Sequence, residues 1–368
     1  MQAPKSLLVL SVSAALLLAV VGLAWSQTRL LAPRYAHIAI CLGEGRILVH
    51  GGLGPGDAFV TGAEIIDHAA GRVLAAPEPH ECRAFHTATP LLDGTVLIAG
   101  GFVPPYSTSR TAELFDGEGF VLLDSEMSAP RELHAATLLA DGCVLITGGF
   151  VGGVTSVAQC DIFDPASRTF RPTGEMCFGR FGHAACRLDG DRVLITGGTQ
   201  YPGEQSLDSA ELYDPGTGQF EPAGAMLADR SRHTATVLHD GRILITGGHS
   251  ASAGCQLAST ELFDPDSGTF AAGPGMAEPR MDHTATLLDD GRVLITGGLN
   301  GIGRPHTVAS CEVFDPRSDT LASVASLRVA VHEHKAALLP SGIVLVCGGL
   351  QVETDIREAI SEICLLTP

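Results

Sequence analysis

A short apolar run that ends in Gly-Gly recurs seven times along the 368 residues of the chain, and this repeat constrains its fold more than any other feature. The copies read RILVHGG (46–52), TVLIAGG (95–101), CVLITGG (143–149), RVLITGG (192–198), RILITGG (242–248), RVLITGG (292–298) and IVLVCGG (343–349). Successive copies lie 48 to 51 residues apart, and we number the repeating units 1 to 7 after them. A period near 50 built from short β-rich runs is typical of a β-propeller and not of a helical solenoid.

Three further positions keep step with the glycines. A histidine lies fourteen residues before each Gly-Gly: His37, His86, His134, His183, His233, His283 and His334. An arginine lies three residues before the first six of these: Arg34, Arg83, Arg131, Arg180, Arg230 and Arg280. In unit 7 the corresponding residue is Val331. An acidic residue follows each first glycine by 13 to 15 positions: Glu64, Glu113, Asp161, Glu211, Glu261, Glu312 and Glu362.

Each unit contains four candidate strands. They are the stretch that begins at the histidine, the VLITGG-like run, the run that begins at the acidic residue (ELFDP in unit 5), and a short stretch around a later apolar residue. Turns such as Asp290–Gly291 separate the first two strands, as in a tight hairpin. The second strand is continuously apolar and rich in β-branched residues, so we expect it to be buried on both faces. We predict an all-β fold, a seven-bladed β-propeller of four-stranded antiparallel blades.

These motifs resemble those of the kelch family, whose units carry a Gly-Gly after an apolar strand, then an acidic-x-aromatic-Asp-Pro run and a late aromatic residue. The resemblance covers residues 30–366. It has one departure, because the late aromatic is usually Trp in kelch units and is Phe or a smaller apolar residue here. The R-x-x-H and DGxVLIxGG features are similar to those of bacterial kelch proteins and of the central propeller of galactose oxidase. The resemblance implies a scaffold whose function resides in its loops.

The last unit lacks a fourth strand, because unit 7 ends at Leu366, directly after its third strand. An unpaired blade would leave an exposed sheet edge. We therefore predict that residues ~26–32 complete the last blade, so that an N-terminal strand closes the ring.

Residues 1–26 have the pattern of an export segment. Lys5 precedes an apolar stretch over 7–23, and Ala24-Trp25-Ser26 resembles a small-x-small cleavage site, which predicts a mature start at Gln27. The alternative is an uncleaved anchor, with a membrane tether through residues 6–24. Residues 27–368 then form one propeller domain. The expected location is periplasmic or extracellular, or at the membrane if the anchor is retained.

Composition restricts the partners. The formal net charge is −18, and the chain has only two lysines, Lys5 and Lys335, so nucleic acid is not an expected partner. The ten cysteines form no CxxC pair, which argues against a thiolate zinc site. We expect small buried thiols at the cysteine positions, with disulfides as the alternative. The sequence gives no reason to expect a cofactor or a metal.

The repeated polar residues fit a structural role better than a catalytic one. Seven histidines at one equivalent position repeat one local environment, whereas a catalytic site needs different groups that converge on one point. The arginines and acids enter the blades from the same end of the ring, so we predict Arg–carboxylate pairs within or between blades. The alternative is an arginine-lined pocket for an acidic ligand.

The segments that follow Gly-Gly differ in every unit and supply the candidate ligand-binding residues. These candidates are Tyr106, Arg110, Tyr201, Glu204, His249, Asn300, Arg304 and His306. Unit 7 adds the polar residues Glu353, Asp355 and Arg357 in the equivalent segment.

Nothing in the sequence requires catalysis, so the preferred function is an exported scaffold that binds a glycan or a protein partner through these loops. One alternative is a sugar mutarotase of the bacterial kelch type, which would use loop groups such as Glu204, Arg304 and His306. A copper oxidase like galactose oxidase is disfavoured, because the resemblance implies two tyrosines, two histidines and a Cys–Tyr cross-link, and only Tyr106 and Tyr201 are loop tyrosines here. A structural part of an envelope complex is a third alternative.

Overall fold

The computed structural model describes residues 28–301, 303–353 and 356–368, so the predicted leader at 1–26 and the loop residue Asp355 lie outside the described residues. Within these ranges the regular structure is β throughout, apart from one short 3-10 turn at Pro55–Asp57. None of the described residues forms a helix long and apolar enough to cross a membrane. The expectation of an all-β fold is confirmed.

Units 1 to 6 each form a four-stranded antiparallel sheet in which the strands pair in chain order. The first strands, with that of unit 7, are Ile38–Gly43, Thr87–Pro90, Ala135–Leu138, Ala184–Arg187, Thr234–Val237, Thr284–Leu287 and Lys335–Leu338. The second strands are Arg46–His50, Val96–Ala99, Val144–Thr147, Val193–Thr196, Ile243–Thr246, Val293–Thr296 and Val344–Cys347. The third strands are Ala63–Asp67, Ala112–Phe115, Gln159–Asp164, Ser209–Asp214, Thr260–Asp264, Cys311–Asp315 and Ile363–Leu366. The fourth strands are Arg72–Ala75, Phe120–Leu122, Thr169–Glu175, Gln219–Ala225, Thr269–Ala272 and Thr320–Val324.

Most segments after Gly-Gly are ordered as small hairpins, which the sequence did not predict. The hairpins pair Phe102–Val103 with Ser107–Thr108, Phe150–Val151 with Thr155–Ser156, Thr199–Gln200 with Gln205–Ser206, His249–Ser250 with Cys255–Gln256, Leu299–Asn300 with His306–Thr307, and Leu350–Glu353 with Ile356–Ala359. Neighbouring hairpins contact each other. For example, the Ser156 hydroxyl contacts both the backbone N–H and the carbonyl of Tyr201 in the next unit. We call the end of the molecule that carries these hairpins the Gly-Gly face.

The second strands form the core, as expected from their continuous apolar sequence. Their apolar side chains are buried in every unit, and six core clusters of the described residues each join the sheets of two consecutive units. One cluster joins unit 7 to unit 1, with Leu345 and Ile363 packed against Val49 and Ile66. The sheets are thus held together by apolar contacts between neighbouring faces.

The first glycine of each pair sits where the next unit approaches most closely. Gly148 has a positive φ of 62°, and a Cβ there would lie 2.4 Å from the Arg180 carbonyl oxygen and 2.5 Å from Cε1 of His183. Only glycine fits both the backbone conformation and the space. The repeated Gly-Gly is therefore a packing requirement between units.

Unit 7 differs from the others, because its sheet has three strands. Arg29 forms an antiparallel bridge with Glu362, and the Leu30 N–H donates to the Ser361 carbonyl at 2.7 Å. Leu30 is buried in the cluster that joins units 7 and 1. The N-terminal segment thus lies against the end of the third strand, where a fourth strand was expected.

All ten cysteines are free thiols in the structure. Cys160, Cys311 and Cys347 are buried, in line with the expected small core thiols, whereas Cys41 and Cys177 are exposed. The expectation of burial therefore holds for only part of the set.

Candidate functional site

The seven repeated histidines all line one cavity and connect neighbouring units. In four cases Nε2 lies 2.7–3.1 Å from a threonine Oγ1 at the end of the preceding unit's second strand: Thr147–His183, Thr196–His233, Thr246–His283 and Thr296–His334. Burial lowers the pKa of all seven histidines, and lowers those of His183 and His334 to about 3. These imidazoles are neutral groups that hydrogen-bond one unit to the next.

The six repeated arginines form buried ion pairs with the acid of their own unit. The six pairs are Arg34–Glu64, Arg83–Glu113, Arg131–Asp161, Arg180–Glu211, Arg230–Glu261 and Arg280–Glu312. Each guanidinium also donates to the carbonyl of the first Gly in its own pair, at 2.7–2.9 Å. All six side chains are at most 1% exposed, so they do not line a pocket for an acidic ligand.

Unit 7 shows what happens without the arginine. Val331 is buried in the core between units 6 and 7. Glu362, which the sequence grouped with the other acids, lies 3.9 Å from Arg328, and 22% of its side chain is exposed. It is therefore not part of the buried set.

The residue directly before each repeated histidine, which we call the pre-histidine position, has the same backbone in every unit and a different side chain in each. The seven residues are Ala36, Phe85, Leu133, Gly182, Arg232, Asp282 and Glu333. All have φ between 51° and 60°, in the left-handed region. From unit 2 onward each N–H donates to the pre-histidine carbonyl of the preceding unit at 2.7–3.1 Å. This chain of hydrogen bonds fixes the backbone and leaves the side chains free to vary.

These seven residues line a central cavity of about 310 Å³, which we call the axial pocket. Its lining is divided by chemistry. Units 1 to 4 contribute Ala36, Phe85, Leu133 and Gly182, and units 5 to 7 contribute charged side chains. A cavity with one apolar wall and a few converging polar groups has the composition of a ligand site.

The charged wall is a compact network. Arg232 Nη1 lies 3.0 Å from Asp282 Oδ2 and 3.6 Å from Glu333 Oε1. His332, directly before Glu333, places Nδ1 4.0 Å from Asp282 Oδ2. Lys335 also lines the pocket, two residues after Glu333.

Burial controls the protonation of this wall. It raises the pKa of Glu333 to about 7, with the neighbouring Asp282 as the second cause. It lowers the pKa of His332 to about 4 and also lowers that of Lys335. The pKa of Arg232 is raised, chiefly by Asp282. The network therefore holds Arg232 as a firm cation and His332 as a neutral imidazole near pH 7.

The candidates that the sequence placed in the variable segments are spread over the Gly-Gly face. Tyr106 is 80% exposed at a hairpin tip of unit 2. Glu204 is an exposed residue of the unit 4 hairpin, and Arg304 and His306 are exposed in unit 6. His306 pairs across its hairpin with Asn300, whose side-chain oxygen accepts from the Gly301 N–H at 2.7 Å. These residues belong to the hairpins of units 2, 4 and 6.

Other candidates are held by local contacts. Arg110 pairs with Glu126 at 3.1 Å and donates to the Met127 carbonyl. Tyr201 is half-buried, with its ring edge on Phe150. His249 pairs through its backbone with Ser231. The two loop tyrosines belong to different hairpins, in units 2 and 4.

The sequence interpretation missed the charged wall of the axial pocket. The candidates predicted from the sequence all follow Gly-Gly, whereas Arg232, Asp282 and Glu333 vary inside the repeated first-strand segment. The signal was present in the alignment of the units, because the residue before an invariant histidine differs in all seven. What the sequence did not show is that this position faces a shared cavity.

Comparison with known proteins supports the repeat assignment. A family model described as Kelch motif matches residues 180–227 and 230–277, which cover the conserved positions of units 4 and 5. No curated protein matches the chain. The likeness to the galactose oxidase propeller is a general analogy. The two matched units share their Arg, His, Gly-Gly and acidic positions with the other repeats, so the chain contains kelch motifs.

Proposed function

We propose that the seven sheets form a closed seven-bladed ring. Two observations support this. The first strand of unit 1 lies beside the first strands of both unit 2 and unit 7, and the core cluster at the junction of units 7 and 1 matches those at the other junctions. The bridge between Arg29 and Glu362 supports completion of the last blade by the N-terminal segment.

We propose that this ring is a non-catalytic binding scaffold, in which the Gly-Gly face receives a protein partner and the axial pocket takes its deepest contact. Kelch repeats generally mediate protein interactions, and that role fits a rigid ring with variable surface groups. The pre-histidine position carries the argument. Its backbone repeats in seven units while its side chains differ in all seven, as expected where the scaffold is fixed and recognition is specific.

The construction of the pocket favours tight recognition. The inter-unit hydrogen bonds at the pre-histidine position hold the lining in place before a ligand arrives, which reduces the entropy lost on binding. The apolar wall can bury a side chain of the partner. The charged wall of Arg232, Asp282 and Glu333 can orient a polar group beside it.

Matched variants on the two faces test this proposal. Arg304→Ala changes the Gly-Gly face of unit 6, and Arg292→Ala changes the turn at the opposite end of the same unit. Phe85→Ser with Leu133→Ser changes the apolar wall of the axial pocket. Partners retained from a cell-envelope extract, and glycans on an array, are compared among the variants and wild type.

We expect the protein partner to be lost with the axial variant, weakened with Arg304→Ala and retained with Arg292→Ala. A partner that binds all variants equally would reject the Gly-Gly face as the binding surface. Selective glycan binding without a protein partner would replace the protein-binding proposal by a lectin-like one. Turnover of a sugar anomer by the wild type would favour the mutarotase alternative.

We further propose that residues 1–26 direct export, which would place the scaffold in the periplasm or outside the cell. The support is the sequence pattern of the segment alone. N-terminal sequencing of the mature protein tests it. A start at Gln27 supports cleavage, a start at Met1 in a membrane fraction supports the tether through residues 6–24, and a start at Met1 in the cytosol rejects export.

A further inference from the structure

Three side chains from units 6 and 7 meet at the edge of the axial pocket without an assigned role. Asp282, His332 and Glu333 each offer one ligand atom, and these atoms all lie within 4.8 Å of one another. The three side chains come from two adjacent units, so the cluster depends on the packing between units.

His332 is the unusual member of the group. It is 6% exposed, and neither ring nitrogen has a hydrogen-bond partner. A buried polar group without a partner is costly, and its presence in a folded protein calls for an explanation. Most of the repeated histidines place Nε2 within hydrogen-bonding distance of a neighbouring side chain. The Oε2 atom of Glu333 is also buried without a partner.

We propose that Asp282, His332 and Glu333 form a binding site for one divalent transition-metal ion, with Zn²⁺ as the expected occupant. One neutral imidazole nitrogen and two carboxylate oxygens form a ligand set that suits this class of ion. Three protein ligands leave a fourth coordination position for water or another ligand. Metal binding can be measured whatever partner the Gly-Gly face receives, so this inference does not depend on the proposed function.

Arg232 is the internal competitor for the same carboxylates. Its guanidinium contacts Asp282 and lies near Glu333, but one third of its side chain is exposed, so it can turn towards solvent. A divalent ion must displace this cation or share its ligands. Removing the Arg232 charge should therefore tighten metal binding, which a nonspecific surface site would not show.

The test uses the purified full chain, freed of metal with a chelator, and titration calorimetry with ZnCl₂, MnCl₂ and CaCl₂ at pH 7.5. The variants are His332→Ala, Asp282→Asn and Arg232→Gln, with His239→Ala as a control, because His239 is an exposed histidine in the turn at the opposite end of unit 5. Thermal melts establish that each variant is folded. If His332→Ala fails to fold, Asp282→Asn carries the comparison.

We expect one Zn²⁺ per chain, at least tenfold weaker binding in His332→Ala or Asp282→Asn, and unchanged binding in His239→Ala. Arg232→Gln should bind at least tenfold more tightly. Zn²⁺ affinity that is equal in wild type and His332→Ala, or a folded Arg232→Gln that binds no Zn²⁺, would overturn the proposal. Preference for Ca²⁺ over Zn²⁺ would also reject the ligand assignment, because His332 would then not be a ligand.

Discussion

The buried ion pair of unit 3 gives the sharpest test of how the repeat stabilises the fold. Arg131 Nη2 lies 2.7 Å from Asp161 Oδ2, and the two side chains are 0% and 1% exposed. Asp161→Asn keeps the shape of the side chain and removes its charge. The guanidinium would then remain buried beside the Gly148 and Gln159 carbonyl oxygens without a counter-charge. Breaking a buried pair in this way costs about 3–5 kcal/mol of unfolding free energy.

The matched control is an exposed ion pair with the same separation. Arg292 Nε lies 2.7 Å from Asp290 Oδ2, but the side chains are 35% and 48% exposed. Solvent screens such a pair, so Asp290→Asn should cost less than about 1 kcal/mol. The comparison therefore isolates burial, because the N···O distance is equal in the two pairs.

Urea unfolding followed by circular dichroism measures both variants. With a urea slope of about 3 kcal/mol per molar, Asp161→Asn should lower the unfolding midpoint by about 1 M or more. Asp290→Asn should shift it by less than about 0.3 M. Equal shifts would refute the argument that the repeated Arg–acid pairs are buried structural elements.

Three further predictions follow from the same contacts. Glu211→Gln breaks a buried pair with Arg180 and should lower the unfolding free energy by about 3 kcal/mol. Glu362→Gln should change it by less than about 1 kcal/mol in the same urea assay. The reverse order would contradict the distinct role of unit 7. Leu30→Ala should lower the unfolding free energy by about 2–4 kcal/mol, because Leu30 is buried between units 7 and 1. Leu31 is 60% exposed, so Leu31→Ala should leave the unfolding free energy nearly unchanged. Equal melting temperatures of the two variants would argue against closure by this segment. Stability should also fall below pH 6.5, since His50, His183 and His334 have folded pKa values of about 3. Between about pH 6.5 and pH 3 such histidines bind protons only in the unfolded chain. Each therefore lowers the unfolding free energy by about 1.4 kcal/mol for every unit by which the pH falls. Urea midpoints that do not change between pH 7.5 and 5 would contradict this.

The repeat predicted the four-stranded sheets and their core well, because its conserved positions are positions at which the units pack against each other. The second strands are apolar on both faces, and Gly148 and its equivalents leave room for the next unit, so one sequence pattern implies one local structure. The roles of the histidines and arginines also followed from their repetition, since a group present in every unit serves the unit. The interior of each sheet unit could therefore be predicted from the sequence.

The axial pocket could not be predicted from the sequence in the same way. Arg232 and Glu333 are about 100 residues apart, and they meet only because units 5, 6 and 7 line one cavity. The direction of their side chains depends on a left-handed backbone conformation, which Arg and Glu rarely adopt. The small hairpins were missed for a different reason, because two-residue strands such as Phe150–Val151 are too short to show alternation. The leader at 1–26 stays a prediction.

Hydrogen–deuterium exchange of the full chain with and without its captured partner tests the central claim most directly. Binding should protect the hairpins of the Gly-Gly face and the first-strand segments that contain Arg232, Asp282 and Glu333. The turns at the opposite end, such as Asp290–Gly291, should exchange at the same rate in both samples. Protection confined to those turns or to the fourth strands would contradict the assignment of the Gly-Gly face and axial pocket as the binding surface.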